Sequence, residues 1–516
     1  MKKIIALIVV IALAASMLTS CTYFSHHTFQ NSGAALPESH DAPEPETPDE
    51  GNKDDHESPE TREPETSESS GDKSETEPEI EPETNPAPET EPEVELQEPI
   101  AVGDYQLALN LEGTEYTIVR YEGDEETVLN VISSHEGIPV TRIGEQAFAG
   151  NFSCETIIIP EGIRSIDYAA FNSSYNLKNV EIPSTVKYIG DFAFSYCSKL
   201  EHLTVDEGNP YYHSAGDCLI HTETKALIKG CDNSVIPTDG SVETIKINAF
   251  YGLYKMKELT IPKSVRVIEA SAFYVCPALE SITVESGNTA YHSEGNCLID
   301  TGRKAIILGC NNSIIPDDGS VEVIDALSFY GCEGLERIHI PASVNSIGYG
   351  AFINCVGIGR IEVDKANQVY HSDGSCLIET AEKMLVLGCK NSVIPEDGSV
   401  CSIESSAFSG CIELASIKIP DSVSSIGRMA FYNCEKLTSV VLPDGIQKLE
   451  YHVFYNCKGM TDITIPAGLT LIDDGAFSFC ENLTIHYKGS EEQWNAIQKV
   501  PGWDWLSENI TVTFGQ

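Results

Sequence analysis

Leu335-Glu336-Arg337-Ile338-His339-Ile340-Pro341, followed by Val344, Ile347, Ala351-Phe352 and Cys355, is one copy of a phrase that recurs down the chain. Its proline returns as Pro160, Pro183, Pro237, Pro262, Pro316, Pro395, Pro420, Pro443 and Pro466. Pro420, Pro443 and Pro466 lie 23 residues apart. A period in this range marks a solenoid of stacked turns, because each unit is too small to bury its apolar face alone. Leu335, Ile338 and Ile340 alternate with polar residues, which is a short strand with one buried face. Pro341 ends it. Val344 and Ile347 continue the buried set, Ala351 admits close packing, and Phe352 fills the interior of the turn. Solenoids present long open surfaces, so binding is favoured over catalysis.

The anchors also show a longer period. Pro183, Pro262, Pro341 and Pro420 are 79 residues apart, and each interval divides into units of 23, 31 and 25. The 31-residue units are Asp206–Ile236, Glu285–Ile315 and Asp364–Ile394. Each holds Tyr-His-Ser, Cys-Leu-Ile, a polar turn, Gly-Cys and a Ser before the Ile-Pro anchor. Duplication of the whole block is the simplest origin. One insertion every three turns is expected to set the added segments along one side of the solenoid.

The phrase Ile-Pro, Ile-Gly, Ala-Phe, Cys-x-x-Leu resembles the BspA-like leucine-rich repeats of bacterial surface proteins, from about Tyr105 to the C-terminus. The resemblance implies a repeat solenoid of leucine-rich-repeat (BspA-like) type, with short parallel β-strands and few helices. It also implies an adhesin or partner-binding surface protein, without fixing a ligand. Tyr487-Lys488-Gly489-Ser490-Glu491-Glu492-Gln493-Trp494 resembles the end cap of that family. Ser490 with Gln493 fits a helix capping box, Pro501-Gly502 would stop that helix, and a strand at Ile510–Phe514 would close the stack. At the other end Tyr105, Leu107, Leu109 and Leu111 alternate before Glu112-Gly113, and Tyr116 and Ile118 follow, which predicts a β-hairpin cap.

The N-terminal segment has the build of a secretory signal. Lys2 and Lys3 precede an apolar run, Ile4 to Ala15, that is too short for a comfortable membrane span. Leu18-Thr19-Ser20-Cys21 resembles a bacterial lipobox, which implies cleavage before Cys21 and a lipid on its thiol. Residues 37–99 hold 24 acidic residues, 3 basic ones and 12 prolines. Such a segment cannot bury enough apolar surface to offset its ordering entropy. Proline stiffness and like-charge repulsion extend it, to roughly 200 Å at about 3.1 Å per residue. It reads as a stalk, with a calcium-binding or basic-partner tail as the other reading. The formal charge of −47 argues against nucleic acid, which needs a basic footprint.

Seventeen cysteines in an exported chain invite a disulfide framework. Eight of them, Cys197, Cys276, Cys332, Cys355, Cys411, Cys434, Cys457 and Cys480, fall three residues after a phrase Phe. One per turn makes a column, and neighbours about 4.8 Å apart suit packing better than bridging. Cys218/Cys231, Cys297/Cys310 and Cys376/Cys389 would face each other in a symmetric hairpin about the polar turn. That leaves buried thiols, disulfides or, without any CxxC knuckle, a metal site as readings.

Tyr212-His213-Ser214, Tyr291-His292-Ser293 and Tyr370-His371-Ser372 set His beside Ser. Adjacent residues of an extended chain point to opposite faces and cannot pair as base and nucleophile. Duplicated structure and ligand contact remain. Trp494, Trp503 and Trp505 read as cap packing or, for the last two, a sugar-stacking platform. The outward strand positions form the broadest candidate surface, against a reading as plain solvated face. They include Asn179, Glu181, His202, Thr204, Glu258, Thr260, Ser281, Thr283, Arg337, His339, Arg360, Glu362, Ser416, Lys418, Asp462 and Thr464.

The organisation expected is a signal at 1–20, an acidic linker at 21–99, an N-terminal cap at 100–145, the solenoid at 146–483 and a C-terminal cap at 484–516. The function expected is adhesion by a monomeric protein, lipid-anchored through Cys21 on the outer face of a bacterial cell membrane. Its partner would be a protein or glycan on host or bacterial surfaces. The candidate contacts are Arg337, His339, Arg360, Glu362 and the pairs Tyr212-His213, Tyr291-His292 and Tyr370-His371. No catalytic residue, cofactor, metal ligand or nucleic-acid contact is assigned. A spacer lipoprotein without a ligand is the alternative, ahead of an enzyme or an enzyme inhibitor.

Overall fold

The computed structural model describes residues 94–507 and 509–515. The signal, Cys21 and the linker through residue 93 lie outside the described residues. Each ordinary turn has three sides. On the first, short strands stack in parallel: Thr156–Ile158, Asn179–Ile182 and His202–Val205 pair with partners 23 residues apart. Val180 and Ile182 point in and are buried, while Glu181 points out. Proline ends the strand, and the second side is a two-residue strand such as Ser165–Ile166, paired in parallel with Tyr188–Ile189.

The third side is a knuckle with no strand, and two other ladders hold it. The Phe N–H of one turn donates to the Ala carbonyl of the next, as in Phe148 to Ala170 and Phe171 to Ala193, both at 2.8 Å. The rings stack along the axis. Phe408, Phe431 and Phe454 have centroids 5.0 and 5.3 Å apart, with ring planes within 10°. The cysteine column lies beside this stack, and all the described cysteines are free thiols. Where the preceding turn also carries the phrase Phe, the thiol donates backward to its carbonyl, as in Cys434 to Phe408 at 3.3 Å, Cys457 to Phe431 at 3.2 Å and Cys480 to Phe454 at 3.1 Å, whereas Cys411, which follows a 31-residue unit, donates to the Gly388 carbonyl at 3.8 Å. Ser174 does the same to Phe148 at 3.2 Å, so a hydroxyl serves where the thiol is replaced.

The 31-residue units differ from the expectation in two ways. Each is a three-stranded antiparallel meander, Tyr212–Ala215, Cys218–His221 and Ala226–Lys229 in the first copy. Gly216 and Asp217 join the first two strands with φ of 56° and 55°, a type I′ turn. The second hairpin turns between Glu223 and Thr224, and a bulge between Leu219 and Ile220 leaves Leu219 opposite Lys229. Cys218 and Cys231 therefore do not face each other as the symmetric hairpin required. The Cys218 thiol turns to the Gly216 carbonyl and the Cys231 thiol to the Glu201 carbonyl. The meander also does not lie along one side. Cys218, Leu219 and Ile220 are all fully buried, the mark of a strand covered on both faces. It is a wall through the interior. Its third strand returns to the parallel ladder with Thr244–Ile245 and Val267–Ile268. The copies at Tyr291–Leu308 and Tyr370–Leu387 repeat this pairing.

At the N-terminal end Tyr105–Leu109 pairs with Tyr116–Tyr121, which then joins the parallel stack through Ile138–Ile143. Leu107 and Ile118 are fully buried, but Leu111 sits in the turn and is exposed. Leu96 bridges to Asn110, and Gln97 donates to the Leu109 carbonyl, so pairing begins inside the segment read as linker. At the other end Ser490 and Gln493 form the capping box of the helix Glu491–Ala496. The helix stops before Pro501, because Gln498–Lys499 pairs with Leu471–Ile472. Thr511–Phe514 lies along Thr484–Tyr487.

The thiol ladder sets a testable order of stabilities. Cys434→Ser keeps a donor for the Phe408 carbonyl, as Ser174 does for Phe148. Cys434→Ala removes both the donor and its volume. The alanine variant should be less stable than the serine variant by about 1 kcal/mol. Urea unfolding midpoints of the two variants check this, and the reverse order would remove the hydrogen bond from the account.

Candidate functional site

The outward strand positions alternate with buried ones as the sequence requires. Glu258, Thr260, Arg337, His339 and Arg360 are exposed, and Glu362 is half-buried. Parallel pairing puts Arg337 beside Arg360 and His339 beside Glu362. The Arg360 guanidinium donates to Glu362 Oε1 at 2.6 Å. Thr260 and Thr283 share a hydroxyl hydrogen bond of 2.9 Å. Lys418 meets Glu396 at 2.5 Å. His486 bridges Asp462 and Thr513 at 3.0 Å each, and the pair holds the Asp462 carboxyl below its usual range. The face is a shallow mosaic of both charges and hydroxyls. Exposed ion pairs of this kind contribute little to stability, roughly 0–1 kcal/mol each.

The Tyr-His-Ser triplets sit at the start of each meander and are tied to the fold. Tyr212, Tyr291 and Tyr370 are buried. Their hydroxyls accept the backbone N–H of Ile189, Ile268 and Ile347. Burial raises the pKa of the Tyr291 and Tyr370 phenols. Asn209 holds the same corner, donating to the Pro183 and Val186 carbonyls and accepting from Tyr211 and Tyr212 N–H. His213, His292 and His371 each place Nδ1 against a threonine hydroxyl, at 3.0, 2.9 and 2.8 Å. Ser214 Oγ instead accepts the Val205 N–H. Histidine and serine of one triplet therefore serve different partners. Of each Tyr-His pair only the half-buried histidine is open to a ligand.

Aromatic side chains absent from the strand face gather on the knuckle side. Tyr196, Tyr251, Tyr274 and Tyr330 form a run with centroids 4.2, 5.3 and 4.7 Å apart. Trp503 continues the Phe column edge-on at 6.1 Å from Phe477, and Trp494 packs on Tyr487. Trp505 is 40% exposed beside Phe479.

Comparison with known proteins gives the repeat its family. The model of the BspA type leucine-rich-repeat region matches in six copies over residues 129–215, 225–297, 307–376 and 387–495. The chain belongs to the BspA-type leucine-rich-repeat family. Proteins of this type are typically bacterial surface proteins. No curated protein matches the chain. Among solved structures it is similar to a leucine-rich cell surface protein of Faecalibacterium prausnitzii, 27% identical over 78% of this chain and 97% of that one, with a TM-score of 0.40. It is also similar to the pneumococcal vaccine antigen PcpA, at 19% identity over 80% and 98% with a TM-score of 0.37. A leucine-rich-repeat protein of Eubacterium ventriosum matches at 22% identity over 80% and 94% with a TM-score of 0.36.

One set of residues on this BspA-type face escaped the sequence reading. Val235, Ile314 and Val393 are each 69% exposed. They stand two residues before an anchor proline, the place that His339 and Lys418 hold in ordinary turns. The signal was the pair of adjacent apolar residues before that proline, a pattern shared with Ile158-Ile159 and Val441-Leu442, whose first residues are 38% and 60% exposed. The backbone N–H of each donates to the I′-turn glycine, Gly216, Gly295 or Gly374. A Cβ on that glycine would collide with the carbonyl of the same apolar residue, so the turn and the exposed residue are fixed against each other.

Tyr212→Phe separates structure from contact. It deletes the acceptor of the Ile189 N–H, which lies in the core, and should cost roughly 1–3 kcal/mol. Chemical denaturation checks this. A neutral change would free the tyrosine for another role.

Proposed function

We propose that this BspA-type protein is an adhesin, held to the outer face of a bacterial membrane by lipid on Cys21 and lifted from it by the acidic stalk. It binds protein or glycan partners on host or bacterial surfaces through the strand face. The observation that carries this reading is the composition of that face: exposed Arg337, His339 and Arg360, paired hydroxyls, and, in the turns between its strand pairs, three equivalent exposed apolar residues. Side chains that look chemical elsewhere, the tyrosines and cysteines, are engaged by the fold itself. Such a face makes many modest contacts, without the buried aromatic anchors that concentrate affinity at strong interfaces. Many copies on one cell make up for weak single sites through avidity. No helix among the described residues is long and apolar enough to cross a membrane. Two or more acyl chains suffice for lasting attachment, at about 0.8 kcal/mol per buried methylene.

Two measurements test this. The chain without its lipid should bind immobilised matrix proteins or glycans saturably. The triple variant Arg337→Ala, His339→Ala, Arg360→Ala should weaken that binding on the order of tenfold, about 1.4 kcal/mol. Binding that never saturates, or that ignores the triple change, would favour the spacer reading. Separately, Cys21→Ser should release the protein from membranes or leave the uncleaved precursor. Unchanged fractionation and mass would sink the anchor.

A further inference from the structure

We propose that the three meanders act as internal end caps, dividing the solenoid into four blocks that unfold one at a time, so that the protein lengthens stepwise under tension. The inference is independent of which face binds. The middle strand of each meander is a septum with two faces. Leu219 belongs to the core that runs from Leu107 to Cys231, while Cys218 and Ile220 belong to the core that continues to Cys310. Leu298 and Leu377 face backward in the same way, and Cys297, Ile299, Cys376 and Ile378 face forward. The interior is thus four apolar clusters, parted at the same point of each 79-residue repeat.

The Phe stack of the ordinary turn stops at the same places, and knuckle-side tyrosines reach across them: Tyr196 to Tyr251 at 4.2 Å, Tyr274 to Tyr330 at 4.7 Å, and Tyr349 to the Ser406 hydroxyl at 2.9 Å. The Phe stack runs through Phe148, Phe171 and Phe194, then Phe250 and Phe273, then Phe329 and Phe352, then Phe408 to Phe477. At each break the turn carries a glycine, Gly230, Gly309 or Gly388, whose Cβ would run into the next Phe ring. The outer sheet is interrupted too. Glu258–Ile261 pairs only with Ser281–Val284, and Arg337–Ile340 only with Arg360–Val363. The bonds across the septum are uneven. The Tyr212 hydroxyl and the Asn209 amide fasten its first strand to the block before. Its third strand joins the block after through the same two-residue parallel ladder that links ordinary turns.

In a stack of repeats, stability is a sum of unit and nearest-neighbour terms, and terminal units need a capping layer. A weak interface therefore sets the length over which unfolding spreads. Where the meander stays folded, the block beside it keeps a strand layer over its apolar end. A uniform stack has no such stop, because losing one turn exposes the next.

The test is to hold the full chain by its two ends and stretch it. Blocks start at Cys218, Cys297 and Cys376, so the two inner blocks have 79 residues each. Separate force peaks are expected, two of them with contour gains of roughly 260–285 Å. A single rupture of the whole solenoid, or a staircase of single 23-residue turns at roughly 76–83 Å, would overturn the proposal. A second measurement uses Phe352→Ala and hydrogen exchange. Protection should fall within residues 311–375 and hold in 218–296 and 390–497, on the far sides of the two shared meanders. Loss that spreads into either neighbour would overturn it as well.

Discussion

A turn of this solenoid has no inside of its own. Its apolar residues are covered only by the turns on either side, and its backbone groups bond to partners about 23 residues away. Everything else depends on keeping that spacing in register. The strand side does it with parallel pairing, the knuckle side with the Phe N–H to Ala carbonyl bond and the stacked rings. The thiol ladder adds a bond that packing alone would not have supplied. A carbonyl has two lone pairs, and the Phe408 carbonyl uses one for the Cys411 N–H and the second for the Cys434 thiol. Cysteine at this position is small, apolar enough for the core, and still a donor.

The ordinary turn was legible because its constraints are local. Proline after a buried strand, Ala where backbones approach, and Phe where a ring must fill the centre each leave a residue type at a fixed place. The meander was not legible to the same degree. Its length showed that something was inserted, but a strand buried on both faces reads as Cys-Leu-Ile and does not say what covers it. The register of Cys218 against Cys231 failed because the turn centres between Glu223 and Thr224, one residue earlier than the symmetric pairing requires, and the bulge at Leu219 makes up only part of the offset. Gly216-Asp217, Gly295-Asn296 and Gly374-Ser375 carried the signal for the first hairpin. The tyrosine beside each histidine looked like a ligand contact because its partner, an isoleucine N–H 23 residues upstream, has no mark in the sequence.

The strand face was legible as a list of outward positions, since alternation is simple counting. Its chemistry was only half legible. Ion pairs such as Arg360 with Glu362 follow from neighbouring positions on one strand, but Lys418 with Glu396 depends on how a meander turn is laid beside an ordinary one. Beside the exposed valines and isoleucine, the residues next to the anchor proline, Ile236, Ile315 and Ile394, are buried, so one apolar pair serves both faces.

The three meanders form an internal comparison within one chain. Asn209, Tyr212, Gly216, Cys218, Gly230, Cys231 and Ser234 recur unchanged in the other two copies, and each has a bond or a close approach that accounts for it. Positions without that constraint have drifted. Asp217 stands as Asn296 and Ser375, whereas Asp232 has become Asn311 and Lys390, each of which still bonds a neighbouring turn. Lys229, buried and donating only to the Tyr251 carbonyl at 3.5 Å, stands as Leu308 and Leu387. Burial pushes its amine below the ordinary lysine range, which marks it as a tolerated departure from the apolar norm of its sisters. Val235, Ile314 and Val393 fit neither class. They are exposed, so packing does not hold them, yet all three remain β-branched and apolar. An extended outward position favours β-branched side chains whatever they touch, and Ile158, Thr260 and Val441 hold the same place in ordinary turns.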